Sequence, residues 1–231
     1  MLELNKIELQ HGAFSFRADL KLAAGDIVAV LGPSGAGKST MLAAIAGFLP
    51  LSSGQILWQG GNISDLAPAQ RPVSMLFQDN NLFPHMTARE NTGLGINPSL
   101  RLSADDWTRV DAALERVALI GLGGRKPAEL SGGQAARVSL ARALVRAQPL
   151  MLLDEPFGAL GPGLKAEMLA LVRDLAREAG ASVLMVSHDP EDALTIAQQV
   201  VWIEAGVAQT PRPTAEIFAD PPAEMARYLG T

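Results

Sequence analysis

From Phe14 to Leu22 the chain alternates strictly. Phe14, Phe16, Ala18, Leu20 and Leu22 are apolar, and Ser15, Arg17, Asp19 and Lys21 between them are polar, which predicts a half-buried β-strand. Ala24-Gly25-Asp26 then turns the chain into Ile27 to Leu31, a short unbroken apolar run that suits a strand covered on both faces. A glycine-rich loop follows, then a predicted helix from about Lys38 to Phe48. Ser52-Ser53-Gly54 leads to a predicted strand at Gln55 to Gln59, and Gly60-Gly61-Asn62 predicts its turn.

The period changes after residue 79. Ser103 is placed to cap a helix whose apolar residues Trp107, Val110, Leu114 and Val117 share a face and which ends near Gly121. A second helix is predicted from Ser131 to Arg146, with Pro149 beyond its end. Strand patterns return at Leu150 to Leu153, Ser182 to Val186 and Gln199 to Ile203. Between the first two, Leu164, Met168, Leu171 and Leu175 fall in helical register. Alternating strands and helices around a glycine loop predict an α/β core with a largely parallel sheet. Residues from about 79 to 147 read as a helical insertion. No internal repeat or low-complexity tract interrupts the chain.

Composition narrows the picture. The 231 residues, 48% hydrophobic and 19% charged, suit one large domain. With 19 Lys+Arg against 24 Asp+Glu the net charge is -5, which argues against a broad grip on nucleic-acid phosphates. Cysteine is absent, so disulfides and thiolate metal sites are excluded. The start, Met1-Leu2-Glu3-Leu4, has no basic segment followed by an apolar core, and no apolar stretch approaches the roughly 18 residues that would span a membrane. Any membrane contact is expected to come through a partner.

Three segments carry chemistry. Gly32-Pro33-Ser34-Gly35-Ala36-Gly37-Lys38-Ser39-Thr40 fits the P-loop pattern: its glycines let main-chain N–H groups and the next helix's N-terminus wrap a phosphate. Lys38 adds a charge for the outer phosphates, and the Ser39 hydroxyl suits Mg²⁺. A strand before the loop and a helix after it set this apart from a chance glycine turn. Leu150-Met151-Leu152-Leu153-Asp154-Glu155 is an apolar strand ending in two acids. Beside a P-loop, Asp154 is expected to hold the metal, directly or through water, and Glu155 to orient and deprotonate the attacking water. Ser131-Gly132-Gly133-Gln134 has capping-box spacing, and a capped helix start with two glycines still offers N–H groups and a dipole to a phosphate.

Together with Leu130, that last segment resembles the signature sequence of ATP-binding cassette (ABC) ATPases, and the chain is similar to that family over nearly its whole length. The resemblance implies a single nucleotide-binding domain over residues 1–231, with a P-loop NTPase core, an N-terminal antiparallel β subdomain and a helical subdomain at about 79–147. It implies ATP and Mg²⁺ as ligands. It further implies that the signature of one copy closes over ATP held by the P-loop of a second copy, in a sandwich dimer. Gln78, after Val73-Ser74-Met75-Leu76-Phe77, matches the family's glutamine that reaches Mg²⁺ and links the core to the helical insertion. His188 matches the switch histidine that contacts the γ-phosphate, and Asp189-Pro190 after it is placed as the N-cap and first residue of a helix. His85 has no phosphate motif near it and reads as surface or partner-facing.

Two positions depart from the family pattern. Gly158-Ala159-Leu160-Gly161 replaces a segment that usually ends in Asp, so the acid that helps couple the paired sites is missing at Gly161. The aromatic that stacks on adenine is left open between His11 and Phe14. The segments 71–83 and 93–98 resemble the ATP-binding subunit of bacterial thiamine importers, which implies membrane-spanning permease partners, an indirect periplasmic solute-binding protein, and a peripheral place on the cytoplasmic face of the inner membrane. Only 43 residues follow His188, leaving no room for the C-terminal regulatory domain of many related importers. An importer for another solute, such as an inorganic anion or iron, and a soluble ABC ATPase acting on DNA or ribosomes are the competing readings. The acidic charge and the single cassette count against the last.

Overall fold

A computed structural model describes residues 1–12 and 14–230, the side chain of His11 excepted. In chain order the elements are β1 (Leu2–His11), β2 (Phe14–Leu22), β3 (Ile27–Leu31), α1 (Lys38–Ala46), β4 (Ser53–Trp58), β5 (Gly61–Asn62) and β6 (Val73–Leu76). Three helices follow, α2 (Ala88–Gly93), α3 (Ala104–Arg116) and α4 (Gly132–Val145), before β7 (Leu150–Asp154). The remainder is α5 (Pro162–Ala179), β8 (Ser182–Val186), α6 (Pro190–Ile196), β9 (Gln199–Glu204), β10 (Val207–Ala208), β11 (Arg212–Pro213), α7 (Thr214–Ala219) and α8 (Ala223–Leu229).

The strands form one curled sheet in the order β5-β4-β1-β2-β10-β9-β3-β8-β7-β6, with β11 on β9. Its second half, β9-β3-β8-β7-β6, is parallel, as the unbroken apolar runs predict. Its first-chain edge, β5-β4-β1-β2, is antiparallel. Alternate residues of the parallel strands enter different cores: Leu152 and Leu184 pack with Met41, Leu42 and Ile45 of α1 on one face. Met151, Leu153, Val183 and Met185 pack with α3, α4 and α5 on the other. A third core joins Trp202 to Ile217 and Met225 of the last two helices.

Strand β1 escapes the alternation rule because it is bulged. Leu2 and Leu4 are buried in one phase and Ile7 and Leu9 in the other, with the register breaking between Leu4 and Ile7. Lys6 sits there at φ 46°, and its carbonyl lies 2.2 Å from where a Cβ on Gly54 would stand. Helix ends also differ from the sequence expectation. α1 stops at Ala46 because Gly47 turns left-handed (φ 85°), leaving Phe48 outside and exposed. α3 has the expected Ser103 cap, whose Oγ accepts the Asp106 N–H at 3.1 Å, but it stops at Arg116 rather than near Gly121, because Ala118 turns left-handed. Gly61 and Asn62 pair with β4, so the turn lies at Gln59-Gly60. In α5 the buried stripe is Met168, Leu169, Val172, Leu175 and Ala176, with Leu171 only partly buried.

The carbonyl end of α1 is closed by a buried arginine. Arg71 donates to Ala44 O at 2.7 Å and Ile45 O at 2.9 Å, and also to Ser64 O at 2.6 Å and Leu66 O at 3.0 Å. A cation against the negative end of a helix is favourably placed. Burial nonetheless holds the Arg71 pKa below its ordinary value, more than the nearby Asp65 restores.

Candidate functional site

The carboxyl ends of the central parallel strands converge, which is where open α/β sheets bind ligands. β3 runs into the loop 32–37, β7 ends at Asp154, and β8 leads to Ser187 and His188. Between them lies an open cleft of about 770 Å³ lined by Phe14, Gly32, Ser34, Gly35, Gly37, Lys38, Ser39, Thr40, Glu155, His188 and Tyr228. The loop needs its glycines for space. A Cβ on Gly32 would stand 2.2 Å from Ile203 O, and one on Gly37, at φ 110°, would stand 2.8 Å from the Phe16 ring.

α1 begins after Gly37 with no side chain accepting its first N–H groups. Those donors and the helix dipole face the cleft, an arrangement suited to an anion. Lys38 is 7% exposed, and its Nζ donates to Gly32 O at 2.8 Å and Pro33 O at 3.0 Å. Burial lowers its pKa, while Glu155 and Asp154 pull it back up. The loop's own carbonyls thus hold a desolvated ammonium beside the open helix end.

Ser39 Oγ donates to Asp154 Oδ1 at 3.0 Å. Burial pushes the Asp154 pKa up, the Ser39 bond opposes that, and Glu155 adds to it. A half-desolvated carboxylate next to a hydroxyl is a pair of hard oxygen donors that a divalent cation would relieve. Among the described residues no cluster of three or more acids or histidines forms a metal site by itself. A cation here would therefore need further oxygens from a phosphate or water.

Glu155 takes a left-handed conformation (φ 45°), and its N–H donates to Val186 O at 3.1 Å. Such a backbone costs of order 1–3 kcal/mol and is found where a side chain must be aimed. Here it lifts the carboxylate off the strand axis to His188, whose Nδ1 lies 3.1 Å from Glu155 Oε2. Asp189 caps α6 ahead of Pro190, as the sequence predicts, accepting the Glu191 N–H at 3.0 Å. Below it Lys165 Nζ bridges Asp189 and Asp192, at 2.7 Å to each. The Lys165 bond holds the Asp189 pKa below the usual carboxylate range.

The structure therefore brings together Lys38, Ser39, Asp154, Glu155 and His188. Phe14 joins them on the cleft wall while also packing on the core. The alternative stacking residue, His11, has its side chain outside the described residues. Gln78 lies exposed beyond β6 and does not line the cleft. Ser131, Gly132, Gly133 and Gln134 stand apart at the start of α4, outside the cleft lining. There Ser131 Oγ accepts the Gln134 N–H at 3.3 Å and Gln134 Oε1 accepts the Ser131 N–H at 3.0 Å. His85 is exposed, with its ring edge-on to Phe83. Sequence reasoning missed Tyr228 and Lys165. Neither lies in a motif, and both reach the site only through the packing of a helix.

Comparison with known proteins identifies the family. A model of the ABC transporter family matches residues 16–158. The thiamine import ATP-binding protein ThiQ of Cereibacter sphaeroides is 59% identical over 230 residues, covering 100% of both chains. That of Ruegeria sp. (strain TM1040) is 53% identical over the same span and coverage. Among solved structures, a dimeric bacterial ABC transporter cassette superposes with a TM-score of 0.81 at 29% identity, covering 93% of this chain and 99% of that one. A dimeric ATP-binding cassette in a post-hydrolysis state, bound to ADP and Pi, gives 0.80 at the same identity and coverage.

Proposed function

The chain belongs to the ABC transporter family, and from that premise we propose that it is the ATP-hydrolysing subunit of an importer of thiamine. The observation that carries the catalytic part is the convergence of two contacts on one cleft: Ser39 with Asp154, and His188 with Glu155. ATP enters with its phosphates against the loop 32–37 and the open end of α1. Lys38 exchanges the carbonyls of Gly32 and Pro33 for phosphate oxygens. Phe14 lies at the cleft wall where the base would stack. Glu155 accepts a proton from the water that attacks the γ-phosphorus, and His188 holds both that carboxylate and the γ-phosphate. Ser39 and Asp154 are the residues that would hold Mg²⁺, which when bound neutralises charge on the phosphate oxygens. Gln78 joins the core to the helical subdomain of about residues 79–147 and is assigned to the metal and water in the nucleotide-bound state.

The separation of the signature from the cleft supports a sandwich dimer. In it the α4 N-terminus of one copy covers the nucleotide of a second, as the dimeric state of the structural neighbours suggests. A groove of about 370 Å³ between β6 and α4, lined by Phe48, Met75, Phe77, Phe83, Arg142 and Arg146 among others, supports docking of a membrane-spanning permease. Phe48 and Phe83 are 52% and 46% exposed there, an unusual aromatic surface for a solvated face. No helix among the described residues is long and apolar enough to cross a membrane. In the proposed importer the chain sits peripherally on the cytoplasmic face, held by that partner. The thiamine assignment rests on the relatives and on the groove segment 71–83, since partner choice fixes cargo.

The test is reconstitution with the cognate membrane subunit and periplasmic binding protein. ATP hydrolysis should rise with thiamine or its phosphates, and not with sulfate, phosphate or ferric iron. Stimulation by one of the latter alone would move the cargo and leave the motor standing. Co-purification with nucleic acid and no membrane subunit would overturn the importer reading.

A further inference from the structure

We propose that Tyr228, the chain's single tyrosine, is a positioning residue for His188 and makes the C-terminal helix part of the hydrolytic site. The Tyr228 hydroxyl donates to the main-chain carbonyl of His188. His188 lies between β8 and α6, outside both elements, and its exposed carbonyl takes its side-chain donor from Tyr228. The tyrosine ring is fixed from behind. It meets the buried Trp202 edge-on, with centroids 5.4 Å apart, and Met225, one turn earlier in α8, is 0% exposed in the same core.

The residues on either side of His188 are anchored independently. Ser187 Oγ accepts the Asp189 N–H at 3.0 Å and bonds Asp192, and Lys165 ties Asp189 and Asp192 to α5. The imidazole, 57% exposed, is left with Glu155 as its side-chain partner. Tyr228 thus holds the main-chain carbonyl of the residue that carries this ring, and it also lines the cleft with Glu155 and His188. Burial, with Asp189 and Glu155 nearby, keeps the phenol pKa above its ordinary value, so the hydroxyl remains a donor.

This inference rests on the reading that Glu155 and His188 serve ATP hydrolysis. The experiment compares the purified full-length chain with Tyr228→Phe, which keeps the ring on Trp202 and removes only the hydroxyl, with His188→Ala, and with the double variant. Tyr228→Phe should lower kcat about tenfold, leave the KM for ATP within about twofold and leave Tm unchanged. In the His188→Ala background, removal of the Tyr228 hydroxyl should cost nothing further, because it acts through the missing imidazole. Unchanged kcat, a change in KM alone, or losses that multiply in the double variant would each overturn the inference while leaving the hydrolysis reading intact. A wild-type chain that does not hydrolyse ATP, alone or assembled, would overturn both.

Discussion

Helix α1 starts after Gly37 with no side chain to take up its first N–H groups, whereas α4 starts after Ser131, which exchanges hydrogen bonds with Gln134. The first end is enclosed by its own loop, with a desolvated ammonium beside it. The second is exposed and already satisfied in part. An uncapped end held in a glycine cradle is suited to take an anion from solution. A capped end needs no anion for stability, and what it contacts is decided by what is brought to it. The two halves of the proposed nucleotide site are therefore built to different standards, one for affinity and one for timing.

The largest effect is expected where the open end meets the chemistry. Glu155→Gln should slow hydrolysis by about 100-fold or more while ATP affinity holds, and the ATP-bound chain should accumulate as a dimer in light scattering. Wild-type turnover in this variant would remove Glu155 from its role. Next, Lys38→Ala should weaken ATP binding about 100-fold by calorimetry, the loss expected for one charge-assisted phosphate contact. Its Tm should not fall, because burial already disfavours the ammonium in the free protein. A large fall in Tm with normal binding would reverse the contrast between the two helices.

The α4 end should respond in the opposite way. Ser131→Ala should cost about 1 kcal/mol of stability through the lost cap, seen as a lower Tm, with ATP binding by the single chain unchanged. In the Glu155→Gln background it should weaken the ATP-driven dimer. If it weakened binding by the single chain as well, the separation of the two ends would fail. The smallest effect belongs to Gly161, the N-cap of α5, where no side chain caps the helix and a Cβ would meet nothing within 4 Å. Gly161→Asp should add a few tenths of a kcal/mol as a cap and raise the Hill coefficient for ATP hydrolysis in the assembled transporter. An unchanged coefficient with normal assembly would leave Asp at this position with a capping role alone.

The contrast also explains what could be read from the sequence. β2, β3, β7 and β8 were legible because their apolar residues obey one period over the whole strand. The caps at Ser103, Ser131 and Asp189 were legible because a cap is a contact within four residues. β1 was not, since the bulge at Lys6 shifts the phase of its buried residues halfway along. The loop residues 32–40 and Asp154 and Glu155 come in contiguous blocks and announce themselves. Tyr228 is 40 positions from His188 and meets it only because a short C-terminal helix packs on Trp202. No local pattern encodes that meeting. Gln78 shows the converse: a motif can name a residue without stating where it stands, here exposed beyond β6.

Arg71 gives α1 a mechanical character. Its guanidinium is bolted to four main-chain oxygens, two of them in the last turn of α1 and two in the segment that leads towards β6. Two residues past the end of the helix stands Phe48, its ring centroid 6.0 Å from that of Phe77 in the aromatic groove. The nine residues of α1 measure about 13 Å, a span too short to flex. In the proposed importer the nucleotide loop 32–37 and the aromatic groove would thus stand at opposite ends of one short strut, pinned at its far end by Arg71.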